Sequence, residues 1–168
     1  MNIIILSILL IFSVIKDISK RTIPNKLLAP FIIIGIAFSS FENGIRGGFD
    51  SLGAVMIVFL FFLIPFALGW IGGGDVKLLM TVGTFIGSRM VITCIIYTII
   101  VGALYGVVMI IKGKRIKNLI EHYKIYFLKV FLMNSFKEMT YEMENPEEDE
   151  RGIPYSIPIA IGTILTLI

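Results

Sequence analysis

A chain of 168 residues that is 57% hydrophobic and only 16% charged, with a mean hydropathy of +0.92, carries more apolar side chain than a water-soluble fold of this size can bury. Its apolar residues come in long blocks separated by short charged or Gly/Pro segments, which excludes a sizeable soluble domain and predicts one all-α integral-membrane domain over 1–168, with the lipid bilayer as its surroundings. The net charge of +3 raises nucleic acid as a partner, but the lysines and arginines sit at the ends of apolar blocks without a basic-aromatic motif, so no nucleic-acid partner is expected.

In chain order the blocks are 2–15, 24–41, 51–71, 75–87, 90–111 and 154–168, about six transmembrane helices. The first has no basic residue before it and no small-residue cleavage site after it, and Lys16, Lys20 and Arg21 follow it, so it reads as a retained helix rather than a signal peptide. A helix rising about 1.5 Å per residue needs about 20 residues to cross the hydrocarbon layer, and the first, fourth and sixth blocks are shorter. Charge decides the fourth. Lys16, Lys20, Arg21 and Lys26 form one basic cluster, and Lys112, Lys114, Arg115 and Lys117 form another; both belong on the cytoplasmic side. An even number of crossings must separate them, which makes 75–87 a span, leaves 42–50 as an external loop and puts both termini outside. Residues 112–151 form a cytoplasmic loop between the fifth and sixth helices. Within it, 116–139 has the spacing of an amphipathic helix, and 142–150, with six acids and Pro146, reads as a solvated linker.

Two acids stand out. Gly72-Gly73-Gly74-Asp75 joins the third and fourth blocks, where glycines open backbone angles closed to other residues, permit close helix approach and place a carboxylate in the next helix's first turn. An ordinary helix N-terminus capped by Asp accounts for the same pattern. Asp17 lies just past the first block, with Ser13 four residues earlier on the same helical face and Ile23-Pro24-Asn25 following, where Pro24 suits the first turn of the second helix. An interfacial acid paired with Lys16, Lys20 or Arg21 is the plain alternative. Together the two acids say more, because both fall at cytoplasmic helix ends. Two carboxylates held close in a poorly solvated place cannot both ionise, so one serves as acid while the other serves as base. Lys77 lies about 200° around the helix from Asp75 and points elsewhere. His122 is the sole histidine and has no partner motif, and the single Cys94 allows neither an intrachain disulfide nor a CxxC site. No metal or cofactor is expected.

These residues resemble the type IV prepilin peptidase family of GxGD membrane aspartic peptidases, which includes archaeal preflagellin peptidases. Asp17-Ile18-Ser19-Lys20-Arg21-Thr22-Ile23-Pro24-Asn25 is similar to the first aspartate motif, Gly72-Gly73-Gly74-Asp75-Val76-Lys77-Leu78-Leu79 to the GxGD motif with its following lysine, and Ile153-Pro154-Tyr155-Ser156-Ile157-Pro158-Ile159-Ala160-Ile161-Gly162 to the opening of the last helix. The resemblance implies that Asp17 and Asp75 are the catalytic pair, with Gly72, Gly74, Lys77, Ile23, Pro24 and Asn25 as supporting motif residues. It implies a prepilin-like substrate with a short basic leader before a hydrophobic helix, cut at the cytoplasmic face of the plasma membrane, with self-association open. The cysteine-rich cytoplasmic segment of the bifunctional bacterial enzymes has no counterpart, so N-methylation is not expected, and the compact form is closer to the small tight-adherence (Flp-type) or archaeal peptidases. Two other readings fit the same acids: a small ion-coupled transporter, which also uses glycine-broken helices and intramembrane carboxylates, and a noncatalytic pilus-assembly protein.

Overall fold

The computed structural model describes residues 3–20, 23–68, 71–113 and 154–168. They form α1 (Ile3–Lys20), α2 (Asn25–Ala67), α3 (Gly73–Gly113) and α4 (Ser156–Leu167), and no strand occurs among the described residues. The predicted amphipathic helix 116–139, the acidic linker 142–150 and His122 lie outside the described residues.

Neither long helix is a straight rod. Gly44 (φ 64°, ψ −156°) interrupts α2 and Gly87 (φ 82°, ψ 172°) interrupts α3, both in a backbone region essentially reserved for glycine. The chain reverses at each. Ser39 Oγ donates to the Gly47 carbonyl at 2.9 Å, whereas eight residues of uninterrupted helix would set them about 12 Å apart. Across the second corner, a methyl group on Gly83 would lie 3.2 Å from Val91 Cγ2. Each long helix is therefore a hairpin. Asp50, just past the first corner, fastens the second, its Oδ1 accepting the Ser88 N–H at 3.3 Å and the Ser88 hydroxyl.

The segment 73–86 is the centre of the bundle. Val76, Leu78, Leu79, Thr81, Val82, Thr84, Phe85 and Ile86 are all buried, as expected of a helix with small or apolar residues on every side. The outgoing half of α2 meets it where Gly35 faces Thr84, and the returning half where Ser51 Oγ donates to the Thr84 carbonyl at 2.8 Å. Apart from Lys77, which is exposed, every residue of the segment is buried or partly buried, which explains why so short a block is so apolar. α4 packs on α1 and on α3 after its corner. There, a methyl group on Gly162 would fall 2.8 Å from Thr98 N, and one on Gly102 would fall 2.8 Å from the Tyr155 ring. The chain divides into two compact units, Met1–Ala103 with Pro154–Ile168, and Leu104–Ile153; of the second, residues 104–113 are described as the end of α3.

The outer surface is apolar. Lys26–Ala67 and Gly73–Met109 are long and apolar enough to cross a membrane, and only 22% and 28% of their apolar windows are buried inside the protein. Side chains such as Ile33, Phe41, Leu60 and Leu104 face outward, an arrangement that water would penalise and lipid would not.

Two expectations need correction. Residues 42–50, read as an external loop, are helical apart from Gly44, because one glycine of reversed handedness turns the chain without a longer connection. α1 runs on to Lys20 rather than ending at 15, since its last residues contain no helix breaker, and this carries Asp17 inside the helix.

Gly162→Ala drives a methyl group into the Thr98 backbone, where only a shift of α4 relieves it. The expected loss is about 1–3 kcal/mol, measurable as a lowered unfolding midpoint in detergent. Gly106→Ala, with open space around it, provides the comparison and should change the midpoint little.

Candidate functional site

Chain reversal at the two glycine corners returns several helix ends to one end of the bundle. Asp17 sits in the last turn of α1, buried with 5% of its surface exposed. Its Oδ2 accepts the N–H of Ser156, the first residue of α4, at 3.0 Å. Helix N-termini present unpaired N–H groups and a partial positive charge, so this contact meets a carboxylate's demand for donors in a place poor in water. Ser13, one turn earlier on the same face, is also fully buried, and its hydroxyl has no hydrogen-bond partner among the described residues.

Asp75 lies in the first turn of α3. Its carboxylate accepts a hydrogen bond from the Gly72 backbone, while its own N–H donates to the Gly72 carbonyl at 3.1 Å. This is the reach-back of a third-position acid to the residue before the helix, so the capping reading of Asp75 holds as local structure. Capping does not exhaust it. The partly buried Asp75 carboxylate is also within electrostatic reach of Asp17, and Tyr155 at the head of α4 lies within reach of Asp75.

The glycines work by close approach rather than by unusual backbone angles. Among the described residues positive φ is confined to Gly44 and Gly87, so the expectation of special angles at Gly72, Gly73 and Gly74 is not met. Instead, a Cβ on Gly74 would touch Ile23 at 3.4 Å, one on Gly73 would touch the Phe66 ring at 3.2 Å, and one on Gly72 would meet Asp75 Oδ2 at 3.0 Å. The Gly74 contact seats the start of α3 against the α1–α2 junction, where Ile23 is buried. Pro24 sits one residue before α2 with an extended backbone (ψ 134°), not in its first turn; its carbonyl accepts the Leu27 N–H at 2.9 Å, and Asn25 opens the helix. Lys77 is exposed, on a different side of α3 from the buried face.

The residue that sequence reasoning left without a role is Ser156. Its segment is singled out by motif, yet nothing local says that a residue 139 positions away from Asp17 donates to it.

The architecture is that of an all-α membrane protein with a carboxylate pair gathered at one end of its helices. The model of the type IV leader peptidase family matches residues 4–107, which contain both aspartates, and the chain belongs to that family. It is 31% identical over 114 residues to the prepilin leader peptidase/N-methyltransferase of Bacillus subtilis (strain 168), an alignment that covers 66% of this chain and 45% of that relative. No solved structure matches it.

The meeting of α1 and α4 is open to a direct check. In a Cys94→Ser background, Asp17→Cys combined with Ser156→Cys should be joined by a short bifunctional thiol reagent in isolated membranes. Asp17→Cys combined with Ser88→Cys, at opposite ends of the bundle, should not. Mass spectrometry of the digested protein distinguishes the two.

Proposed function

We propose that this chain is a membrane aspartic endopeptidase that removes the leader of a prepilin-like precursor, with Asp17 and Asp75 activating water. The observation that carries the reading is the convergence of these two carboxylates, 58 positions apart in sequence, within electrostatic reach at one end of the bundle. Family membership supports it, as does the lie of both acids in the segments that resemble the family's two aspartate motifs.

The chemistry follows from two carboxyl groups that share one proton. The ionised member takes a proton from water as the water oxygen attacks the scissile carbonyl carbon, and the protonated member hydrogen-bonds the carbonyl oxygen as charge develops there. Collapse of the tetrahedral intermediate breaks the C–N bond, a proton passes to the leaving amine, and the pair is left singly protonated for the next turnover. No covalent intermediate enters the scheme.

Orientation in the bilayer belongs to the same reading. The two hairpins give four crossings between the basic cluster at Lys16 to Lys26 and the one at Lys112 to Lys117; with α1 and α4 this makes six spans, both termini outside and the aspartates toward the cytoplasm of the plasma membrane. A basic leader ahead of a hydrophobic helix would then approach the acids from the cytoplasmic side. We assign these residues peptide-bond cleavage alone, without the methyl transfer named for the Bacillus relative.

Co-expressed with a panel of type IV prepilin precursors, the chain should yield a mature N-terminus readable by mass spectrometry. Asp17→Asn and Asp75→Asn should each reduce cleavage at least roughly a hundredfold while accumulating in membranes as the parent does. Processing at the parental rate by either variant overturns the assignment.

The gap between the first glycine of the motif and the Asp75 carboxylate gives a graded test. Gly72→Ala brings a methyl group against Oδ2 and should lower the cleavage rate without abolishing it, because the side chain can give by a few tenths of an ångström. An unchanged rate would mean that the placement of this carboxylate does not limit the reaction.

A further inference from the structure

α4 has only 12 residues, and its start is not held by its own cap. The residue before it is Tyr155, whose side chain makes no capping hydrogen bond, at a position where Ser, Thr, Asp or Asn would ordinarily satisfy one of the first N–H groups. Asp17 of α1 does this from outside the helix, its Oδ2 accepting the Ser156 N–H at 3.0 Å. The tyrosine ring is directed elsewhere. It packs partly buried against the core and lies on Gly102, in the returning half of α3, so closely that a methyl group there would fall 2.8 Å from Cζ and 3.0 Å from Cε2. The Tyr155 carbonyl accepts the Ile159 N–H at 3.2 Å, which ties the residue that carries the ring into the first turn of α4. Two consecutive residues thus fasten the helix start to α3 by a side chain and to α1 by an N–H.

We propose that Tyr155 is a positioning residue for the peptidase reaction: its ring, seated on Gly102, fixes the start of α4 so that the Ser156 N–H holds the Asp17 carboxylate in its working place. This rests on the peptidase reading and adds to it a residue outside the two aspartate motifs, one that acts through Asp17. Asp17 needs such a hold. It lies in the last turn of α1, where the negative end of its own helix disfavours a carboxylate, and the positive start of α4 offsets that. The hold is sensitive to distance, because an N–H···O bond is best near 2.9–3.0 Å and is lost beyond about 3.5 Å. A slide of α4 by well under an ångström therefore loosens the carboxylate, and a displacement of about 1 Å at a reacting group can cost roughly a hundredfold in rate. Glycine at 102 is what lets the ring lie this near the α3 backbone, so the pair Gly102 and Tyr155 sets where the helix start stops. The phenol also lies within electrostatic reach of Asp75, which puts the seat beside both carboxylates.

Tyr155→Ala removes the ring and leaves the Ser156 N–H in place. With detergent-purified full-length chain and a type IV prepilin precursor that the parent cleaves, assayed well below every unfolding midpoint, kcat should fall roughly ten- to a hundredfold while KM stays within about twofold. Tyr155→Phe keeps the ring and should hold kcat within about threefold of the parent. Gly102→Ala forces the ring off its seat and should lower kcat severalfold, yet cost nothing further in a Tyr155→Ala background, where no ring remains to displace. Ser51→Ala, which removes the bond to the Thr84 carbonyl near the Gly87 corner, should lower the midpoint and leave kcat within about twofold. Parental kcat in Tyr155→Ala overturns the proposal, as does a loss in Tyr155→Phe equal to that in Tyr155→Ala, or losses that multiply when Gly102→Ala and Tyr155→Ala are combined. An equal fall of kcat in Ser51→Ala would mark general loosening of the bundle and overturn it too, and a raised KM at parental kcat would make Tyr155 a substrate-binding residue instead. If Tyr155→Ala fails to accumulate in membranes, Gly102→Ala decides alone, and parental kcat there overturns the proposal. A parent that cleaves no precursor overturns the peptidase reading and this inference with it, whereas a cleaving parent with a fully active Tyr155→Ala overturns this inference alone.

Discussion

A carboxylate with 5% of its surface exposed must find its donors inside the protein, and Asp17 finds one in the first N–H of α4. Much of the architecture answers to that contact. α4 can reach α1 only if it packs closely on α3, and it does so where Gly162 meets the Thr98 backbone and Gly102 meets the Tyr155 ring. α3 in turn must run outward from Asp75 and come back, which the corner at Gly87 permits. α2 must do the same before it, by way of Gly44. The result is that the end of α1 and the starts of α3 and α4 share one end of the bundle, and two of the three bring a positive helix terminus to a carboxylate.

Glycine does two different jobs in this chain. At Gly44 and Gly87 it supplies a backbone conformation that a side chain would strain, so each long apolar helix folds on itself with no intervening loop. At Gly74, Gly102 and Gly162 the missing side chain is the point, since it lets the helix approach a neighbouring segment closely: Ile23 at the α1–α2 junction, the Tyr155 ring and the Thr98 backbone. In a bundle surrounded by lipid, helices gain little hydrophobic drive from one another, and close approach of small residues takes its place. The hydroxyls of Ser39, Ser51 and Thr84 turn inward to backbone carbonyls for the same reason: lipid offers no partner.

The sequence made some of this legible and hid the rest. Hydropathy and charge told where the apolar helices lie, and the end of the fourth block coincided with the corner at Gly87. The motif around Asp75 was readable as a helix start because a run of glycines before an acid has few other uses. The corner at Gly44 was not, because Glu42, Asn43, Arg46 and Asp50 look like a solvated loop, whereas the backbone remains helical on either side of one residue. The link from Asp17 to Ser156 was hidden more deeply. It depends on three-dimensional packing across most of the chain, and Ser156 by itself is an unremarked residue at the head of a short apolar helix. Local pattern finds helix ends; it does not say which ends meet.

The central claim is that Asp17 and Asp75 act as one unit rather than as two separate caps. A double-mutant cycle on kcat/KM for a processed prepilin precursor tests it most directly, using Asp17→Asn, Asp75→Asn and the combined variant. If the carboxylates share one proton and one water, each single change removes the whole device and the double variant is no slower than either single one. Losses that multiply in the double variant would show two independent contributions and contradict the account.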